Sequence, residues 1–197
     1  MNMCYVRIDS QQRKFAVLLI IAVGIGVVLI GCSAGDFRTD RQTGATSTSS
    51  SARVGTHVGD LAPDFQLSKM DGSPISLASL QGQPSVLIFW TSWCPICKEE
   101  APQFNQLATE YESRGVRVLG INIQDSQART EGGIKDFGIR YSVARDGDAS
   151  VAHRYNVAGT PTIVFVDRKG VVRYFGNQLP NDYGSRLEAM LGDSGKL

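Results

Sequence analysis

The sequence predicts an α/β sandwich in which helices flank a mixed central sheet. From about residue 57 onward, strand-like apolar runs alternate with segments of helical periodicity. The alternation then gives way to a hairpin pattern, which adds antiparallel strands to the sheet, and to one last helix. With 197 residues and 42% hydrophobic content, the chain is long and apolar enough for one domain with a proper core.

The elements of this sandwich can be assigned in order. An N-terminal β-hairpin is expected where "PDFQL" and "SPISL" flank Met70–Ser73. The unbroken apolar run "SVLIFW", Ser85–Trp90, predicts a buried strand, and a helix that ends near Gly115 follows it. The remaining predictions are a strand at Val116–Ile123, a helix over residues 126–139 weakened by Gly132 and Gly133, a strand at Tyr141–Ala144, a helix at Ala149–Tyr155, a hairpin around Arg168–Gly170 and a helix at Tyr183–Leu191.

Residues 1–32 have the pattern of a signal peptide or a membrane anchor. Three basic residues and one acidic residue give this segment a charge of +2, and the run Phe15–Gly31 carries no charge. It ends in Leu29-Ile30-Gly31-Cys32, which resembles a bacterial lipobox, whose cysteine is lipidated and becomes the first mature residue. An uncleaved anchor is the alternative. Both interpretations place the rest of the chain outside the cytoplasmic membrane.

Residues 33–56 are rich in Ser, Thr, Gly and Arg and nearly free of large apolar side chains. Such a composition predicts a flexible tether for a folded domain at residues 57–192. A ragged N-terminus with no spacer function is equally consistent with it. After Cys32, 17 basic residues face 18 acidic ones, a net charge of −1. This balance gives no reason to expect nucleic acid as a partner, and we expect a monomer.

Of the four cysteines, only Cys94 and Cys97 lie in the predicted domain. A bridge across two intervening residues constrains the chain very little, which argues against a purely structural disulfide. A zinc site needs about four ligands, and the two histidines, His57 and His153, are not at ligand-like spacing. We therefore expect no metal and no cofactor. Redox exchange is the interpretation that remains.

The predicted position of Cys94 supports redox exchange. It lies where a buried strand ends and a helix begins, with Pro95 at about the first helical position. The N–H groups and partial positive charge of a helix N-terminus stabilise a thiolate and lower the pKa of a cysteine there. Cys97, one turn further on, is expected to be more buried and less acidic. Cys94 would then attack a substrate disulfide, and Cys97 would resolve the mixed disulfide.

Several motifs in order resemble the thioredoxin superfamily. They are "WCPIC" at Trp93–Cys97, "EAP" at Glu100–Pro102 and "GTPT" at Gly159–Thr162. The opening "VGDLAPDFQL" and the hairpin "FVDRKGVV" narrow the resemblance to the membrane-tethered reductases that include the TlpA, ResA and CcmG proteins. It covers about His57–Leu191 and implies a thioredoxin-like fold, with Cys94 and Cys97 forming the redox disulfide.

The resemblance also implies roles for neighbouring residues. Thr160 and Pro161 would form a cis peptide facing the disulfide and offer a backbone edge to an extended substrate; an ordinary trans proline is the alternative. Glu100 would handle protons during exchange, since Ile88 stands where cytosolic thioredoxins have a buried aspartate. Alternatively, Glu100 only favours the first turn of a helix. Trp93 would belong to an exposed platform for substrates, whereas Trp90 would belong to the core.

The implied function is reduction of protein disulfides outside the cytoplasm, for example in apocytochrome c before haem attachment. Electrons would come from a membrane thiol-disulfide transporter. Two alternatives remain open. A peroxidase of the peroxiredoxin type shares the fold and would use Thr91 before Cys94, but Leu87 stands where its proline belongs. A non-enzymatic metal chaperone would bind metal through Cys94, Cys97 and His153.

Overall fold

A computed structural model of the protein describes residues 53–192. The described strands are β1 Gln66–Lys69, β2 Pro74–Ser76, β3 Ser85–Trp90, β4 Arg117–Ile123, β5 Ser142–Asp146, β6 Thr162–Val166 and β7 Val172–Gly176. The described helices are α1 Leu77–Leu80, α2 Pro95–Tyr111, α3 Gln127–Phe137, α4 Ser150–Arg154 and α5 Tyr183–Gly192. The strands form one sheet in the order β2-β1-β5-β4-β3-β6-β7. Its centre, β3, β4 and β5, is parallel and its flanks are antiparallel, which confirms the predicted mixed α/β sandwich.

Strand β3 is buried on both faces, as its unbroken apolar sequence predicts. Val86 and Ile88 point into a core cluster that α2 and α5 complete. Leu87 and Phe89 point to the opposite face, into a cluster that includes residues of α4. Trp90, the last residue of the strand, reaches a third cluster that contains both cysteines of the predicted domain. The strand therefore connects both cores to the residues of chemical interest.

The register of the sheet brings distant segments to the end of β3. The parallel neighbour β4 pairs Asn122 with Trp90. The antiparallel neighbour β6 pairs its first residue, Thr162, with Phe89. Consequently, the segment before β6 and the segment after β4 both lie beside the loop that follows β3. That loop contains Cys94.

The N-terminal hairpin is present, with β1 and β2 antiparallel, but its second strand is shorter than predicted. The strand ends at Ser76, and Leu77 begins the helix α1, which the sequence pattern did not predict. The Ser76 hydroxyl accepts the N–H of Ser79, and the Ser79 hydroxyl oxygen accepts the N–H of Ser76. This reciprocal capping box starts a helix where period-two alternation had indicated a strand.

Residues 53–56, which precede the predicted boundary at residue 57, contact the folded domain. The N–H of Leu61 donates to the carbonyl of Arg53 at 2.8 Å, and the N–H of Gly55 donates to the Leu61 carbonyl at 2.9 Å. The guanidinium of Arg53 also forms an ion pair with Asp60 at 2.9 Å. Residues 53–56, predicted to belong to the tether, therefore pair with the folded domain. The predicted signal segment, Cys32 and the rest of the tether lie outside the described residues. Within residues 53–192, no helix has the length and apolarity needed to cross a bilayer.

Helix α3 runs without interruption through the two glycines that were expected to weaken it. Gly133 faces the end of β3, where an added Cβ would lie 2.9 Å from the Trp90 ring and 2.9 Å from the Cβ of Ser92. The absence of a side chain at position 133 lets the helix approach the sheet closely. Gly132 differs, because a Cβ there would meet no atom within 4 Å.

These two adjacent glycines give a matched test of the packing. We expect Gly133→Ala to destabilise the protein by about 1–3 kcal/mol, because the Trp90 ring is enclosed and must shift. Gly132→Ala should stabilise it by up to about 1 kcal/mol through helix propensity alone. Urea unfolding of the oxidised protein measures both changes as shifts in midpoint at constant slope. Equal effects of the two variants would contradict the close approach of α3 to β3.

Candidate active site

Cys94 is the N-cap residue of α2. Its sulfur accepts the backbone N–H of Cys97 at 3.2 Å, and Pro95 occupies the first helical position, where no N–H is needed. The N-terminus of a helix carries partial positive charge, which favours the thiolate over the thiol. The strand–helix junction predicted from the sequence therefore places the sulfur of Cys94 against the positive end of a 17-residue helix.

Cys94 and Cys97 are joined by a disulfide, and their Cα atoms are 5.3 Å apart. Both residues are enclosed, with exposed fractions of 0% for Cys94 and 3% for Cys97. The expectation that Cys97 would be the more buried of the two is therefore wrong for this disulfide form. A neighbouring loop covers Cys94, because the carbonyl oxygen of Thr160 lies 3.4 Å from its sulfur. The two cysteines differ in their position on the helix rather than in their exposure.

The covering loop contains the peptide bond between Thr160 and Pro161, which is cis as the resemblance implied. The side-chain amide of Asn177 donates to the carbonyl of Pro161 at 2.9 Å and to the hydroxyl of Thr162 at 3.0 Å. The Thr162 hydroxyl in turn donates to the carbonyl of Gly159 at 2.7 Å. This set of hydrogen bonds holds the loop in place. Asn177 lies 16 residues after Pro161 and belongs to no recognisable motif, so the sequence did not predict its contact with the loop.

Glu100 lies one turn after Cys97 on α2, and its side chain is half-buried. It lines a pocket of about 380 Å³ together with Ile96, Pro161, Tyr174 and other residues. The carboxyl oxygen Oε2 is buried and has no hydrogen-bond partner among residues 53–192. Burial raises the pKa of Glu100 above its ordinary value, and the nearby charge of Glu99 raises it further. The predicted candidate for proton handling therefore has an environment that favours its protonated form.

The two tryptophans near the cysteines differ in exposure as expected: Trp93 is exposed and Trp90 is buried. Trp93 is 51% exposed and directly precedes Cys94, so its ring is available to a partner. Trp90 is enclosed and packs on Phe137, with the ring centroids 5.5 Å apart. The structure therefore brings Trp93, both cysteines, Glu100 and the cis-proline loop to one site.

Possible metal ligands are not clustered among the described residues. Within residues 53–192, no group of three or more His, Cys, Asp or Glu side chains is close enough together to hold one. His153, a possible third ligand, lies on the exposed face of α4. Cys32, the proposed lipidation site, lies outside this part of the chain.

Comparison with known proteins adds to this geometry. The profile of the AhpC/TSA family matches residues 58–175, a range that includes the disulfide and the cis proline. The chain belongs to the AhpC/TSA family. A relative named thiol-disulfide oxidoreductase ResA, from Geobacillus kaustophilus, is 29% identical over 186 residues, which cover 92% of this chain and 98% of that protein.

Solved structures of other proteins share the fold. A thiol:disulfide interchange protein of the thioredoxin family from Chlorobium tepidum has a TM-score of 0.58 at 29% identity, covering 66% of this chain and 95% of its own. A secreted disulfide oxidoreductase from Mycobacterium tuberculosis, homologous to E. coli DsbE, has a TM-score of 0.53 at 31% identity, covering 65% and 94%. The protein is thus a thiol-disulfide oxidoreductase with a thioredoxin-like fold, as its motifs indicated.

The raised pKa of Glu100 predicts a pH-dependent contribution to stability. A carboxyl whose pKa is higher in the folded state stabilises the fold below its unfolded pKa and loses that contribution as the pH rises through the folded pKa. Wild type should therefore lose stability relative to Glu100→Gln as the pH rises above the ordinary range of a glutamate. Urea unfolding between about pH 4 and pH 8 measures the difference.

The matched control is Glu110→Gln, because Glu110 is exposed on the same helix. The pH-dependent difference from wild type should be larger for Glu100→Gln than for this control. If the two variants have the same pH profile, the carboxyl of Glu100 is solvated rather than buried.

Proposed function

We propose that this oxidoreductase reduces protein disulfides outside the cytoplasm while its N-terminus holds it at the membrane. One observation supports the proposal above the others. The Cys94–Cys97 disulfide lies at the positive end of α2, against the cis-proline loop and one turn from a half-buried carboxyl. These parts supply an activated thiol, a substrate-binding edge and a proton carrier.

The proposed exchange begins with the protein in its reduced form. The Cys94 thiolate attacks one sulfur of a substrate disulfide, and the other substrate sulfur leaves with the electron pair and takes up a proton. The Cys97 thiolate then attacks the sulfur of Cys94 in this mixed disulfide. The Cys94–Cys97 bond forms, and the second substrate sulfur leaves as a thiol. The substrate gains two electrons and the protein loses two.

Cysteine variants test these roles. Cys97→Ala should accumulate a mixed disulfide between Cys94 and substrate, because no thiol remains on the helix to resolve it. Cys94→Ala should accumulate little, because the remaining thiol lies one turn into the helix. Non-reducing electrophoresis and mass spectrometry of the trapped species read out both results and name the substrate. The reverse pattern would exchange the roles of the two cysteines.

Glu100 is proposed to handle the protons that these steps release and take up. A carboxyl with a raised pKa exchanges protons closer to neutrality than an ordinary glutamate does. In Glu100→Gln, loss of the neighbouring negative charge should move the pH–rate curve for thiol alkylation to lower pH. Its disulfide-reduction rate should fall. Unchanged alkylation and turnover from about pH 5 to pH 9 would limit Glu100 to a helix-start charge.

The direction of electron flow is tested by the reduction potential. A reductant should have a value near that of thioredoxin, about −270 mV, whereas an oxidant such as DsbA lies near −120 mV. Equilibration of the protein with dithiothreitol or glutathione buffers, followed by alkylation and mass spectrometry, gives this number. A value near about −120 mV would make the protein an oxidant of substrate thiols.

Membrane attachment and the substrate are further parts of the proposal. The lipobox-like Leu29–Cys32 supports attachment through a lipid on Cys32, which the mass of the mature protein would reveal. Alignment with the ResA relative over 92% of this chain extends the similarity beyond the described domain. The membrane-tethered branch suggests apocytochrome c as the substrate and a membrane thiol-disulfide transporter as the electron donor. We infer that a single copy of the chain suffices, since both cysteines lie on one helix.

The two alternatives have less support. A peroxidase would need a threonine and a proline before its reactive cysteine. Thr91 precedes Cys94 and is buried, but Leu87 occupies the position of the proline and is packed inside β3. For a metal chaperone, no cluster of ligands that includes Cys94 and Cys97 is present among residues 53–192. The disulfide between two cysteines three residues apart favours exchange over both.

A further inference from the structure

A buried chain of polar groups runs from α3 to the loop that carries the redox pair. The hydroxyl of Thr130 donates to Oδ1 of Asn122 at 2.7 Å, and Nδ2 of Asn122 donates to Oδ2 of Asp125 at 2.9 Å. The same carboxylate oxygen accepts the backbone N–H of Ser92 at 2.7 Å. The side chains of Thr130, Asn122 and Asp125 are all buried. A carboxylate in such surroundings forms strong hydrogen bonds and holds its donors firmly.

Ser92 belongs to the short connection Thr91–Cys94, which joins β3 to α2. Its hydrogen bond to Asp125 spans 33 residues and ties this connection to the one between β4 and α3. Gly133 of α3 also packs against Ser92, so the loop is held by both a contact and a hydrogen bond. The position of Ser92 in turn sets where the backbone enters α2 at Cys94.

We propose that Asp125 is a positioning residue for the redox pair. By holding Ser92, it keeps Cys94 at the cap of α2, where the sulfur meets both the N–H and the sulfur of Cys97. This inference rests on the proposed exchange at Cys94 and Cys97. A disulfide is favoured when its two thiols are held close together, because their effective concentration is then high. Freeing the loop lowers that concentration and shifts the equilibrium toward the dithiol.

The test measures the reduction potential of variants of the full chain against dithiothreitol. In this reaction dithiothreitol gives up two electrons and two protons and closes its own disulfide, while the Cys94–Cys97 bond opens to two thiols. Asp125→Ala should raise the equilibrium constant for reduction about tenfold, the scale of a lost charge-assisted hydrogen bond. That factor corresponds to a potential about 30 mV higher. Asp125→Asn keeps a carbonyl oxygen that can accept both N–H groups but loses the charge, so its shift should be clearly smaller, about threefold.

Asp146 provides the matched control. Its carboxylate is also buried and accepts two backbone N–H groups, from Val151 at 3.2 Å and Ala152 at 2.8 Å, but these belong to α4 rather than to the redox loop. Asp146→Ala should therefore destabilise the protein and leave its potential unchanged. If the potential of Asp146→Ala shifts as much as that of Asp125→Ala, the effect comes from general destabilisation and the proposal is overturned.

Thr130→Val provides a milder change in the same polar chain, since valine has nearly the shape of threonine without the hydroxyl. It should shift the potential in the same direction by a smaller factor, and it decides the matter if Asp125→Ala does not fold. A potential equal to wild type in the folded Asp125→Ala variant, or a shift in Asp125→Asn as large as in Asp125→Ala, would overturn the proposal. Failure of wild type to exchange with dithiothreitol through Cys94 and Cys97 would instead overturn the proposed function itself.

Discussion

The junction between β3 and α2 is the constraint on which the rest of the site depends. Strand β3 is enclosed by a core cluster on each face, so its end cannot shift without disturbing both. Helix α2 is fixed by its own buried residues, which include Phe104 and Leu107. The short connection between the two elements has little freedom. The sulfur of Cys94 is therefore positioned by the strand and the helix together with the held loop between them.

Two opposing effects act on the Cys94 thiol at this junction. Burial disfavours a thiolate because it removes water from the charge. The helix N-terminus favours it through partial positive charge and through the N–H of Cys97, which already points at the sulfur in the disulfide form. A hydrogen bond to the charged sulfur offsets the lost hydration. The helix N-terminus thus leaves the Cys94 thiol able to ionise in spite of the enclosure that shields the disulfide.

The sequence could predict the parts of this structure that depend on local pattern. The apolar run of β3, Pro95 at the helix start and the proline of the GTPT motif all carried their signals within a few residues. The contacts that hold the site are of a different kind. Asn177 reaches Pro161 from the loop after β7, and Asp125 reaches Ser92 from the loop after β4. Neither residue has a neighbour in sequence that marks its function, because strand register alone brings each to its partner.

The burial of Cys94 was mispredicted for a related reason. Position on a helix suggested that Cys97 would be more buried than Cys94. The loop that covers Cys94 comes from the segment before β6, and the pairing of Phe89 with Thr162 places it there. Since β3 and β6 are far apart in sequence, periodicity within α2 carries no information about this cover. The helix was assigned correctly, but a long-range contact determines the burial of Cys94.

The distance between the two cysteines explains why this site suits exchange within one chain. Their Cα atoms are 5.3 Å apart, inside the range of about 4.4–6.8 Å that a disulfide spans without backbone movement. In the proposed exchange, a mixed disulfide formed at Cys94 would therefore meet its resolving thiol on the same helix, and the helix would not need to unfold to deliver it. A cysteine resolved by a distant segment or by a second chain would need such a movement. Within a family whose shared fold does not decide the chemistry, this local spacing is the feature that favours thiol-disulfide exchange.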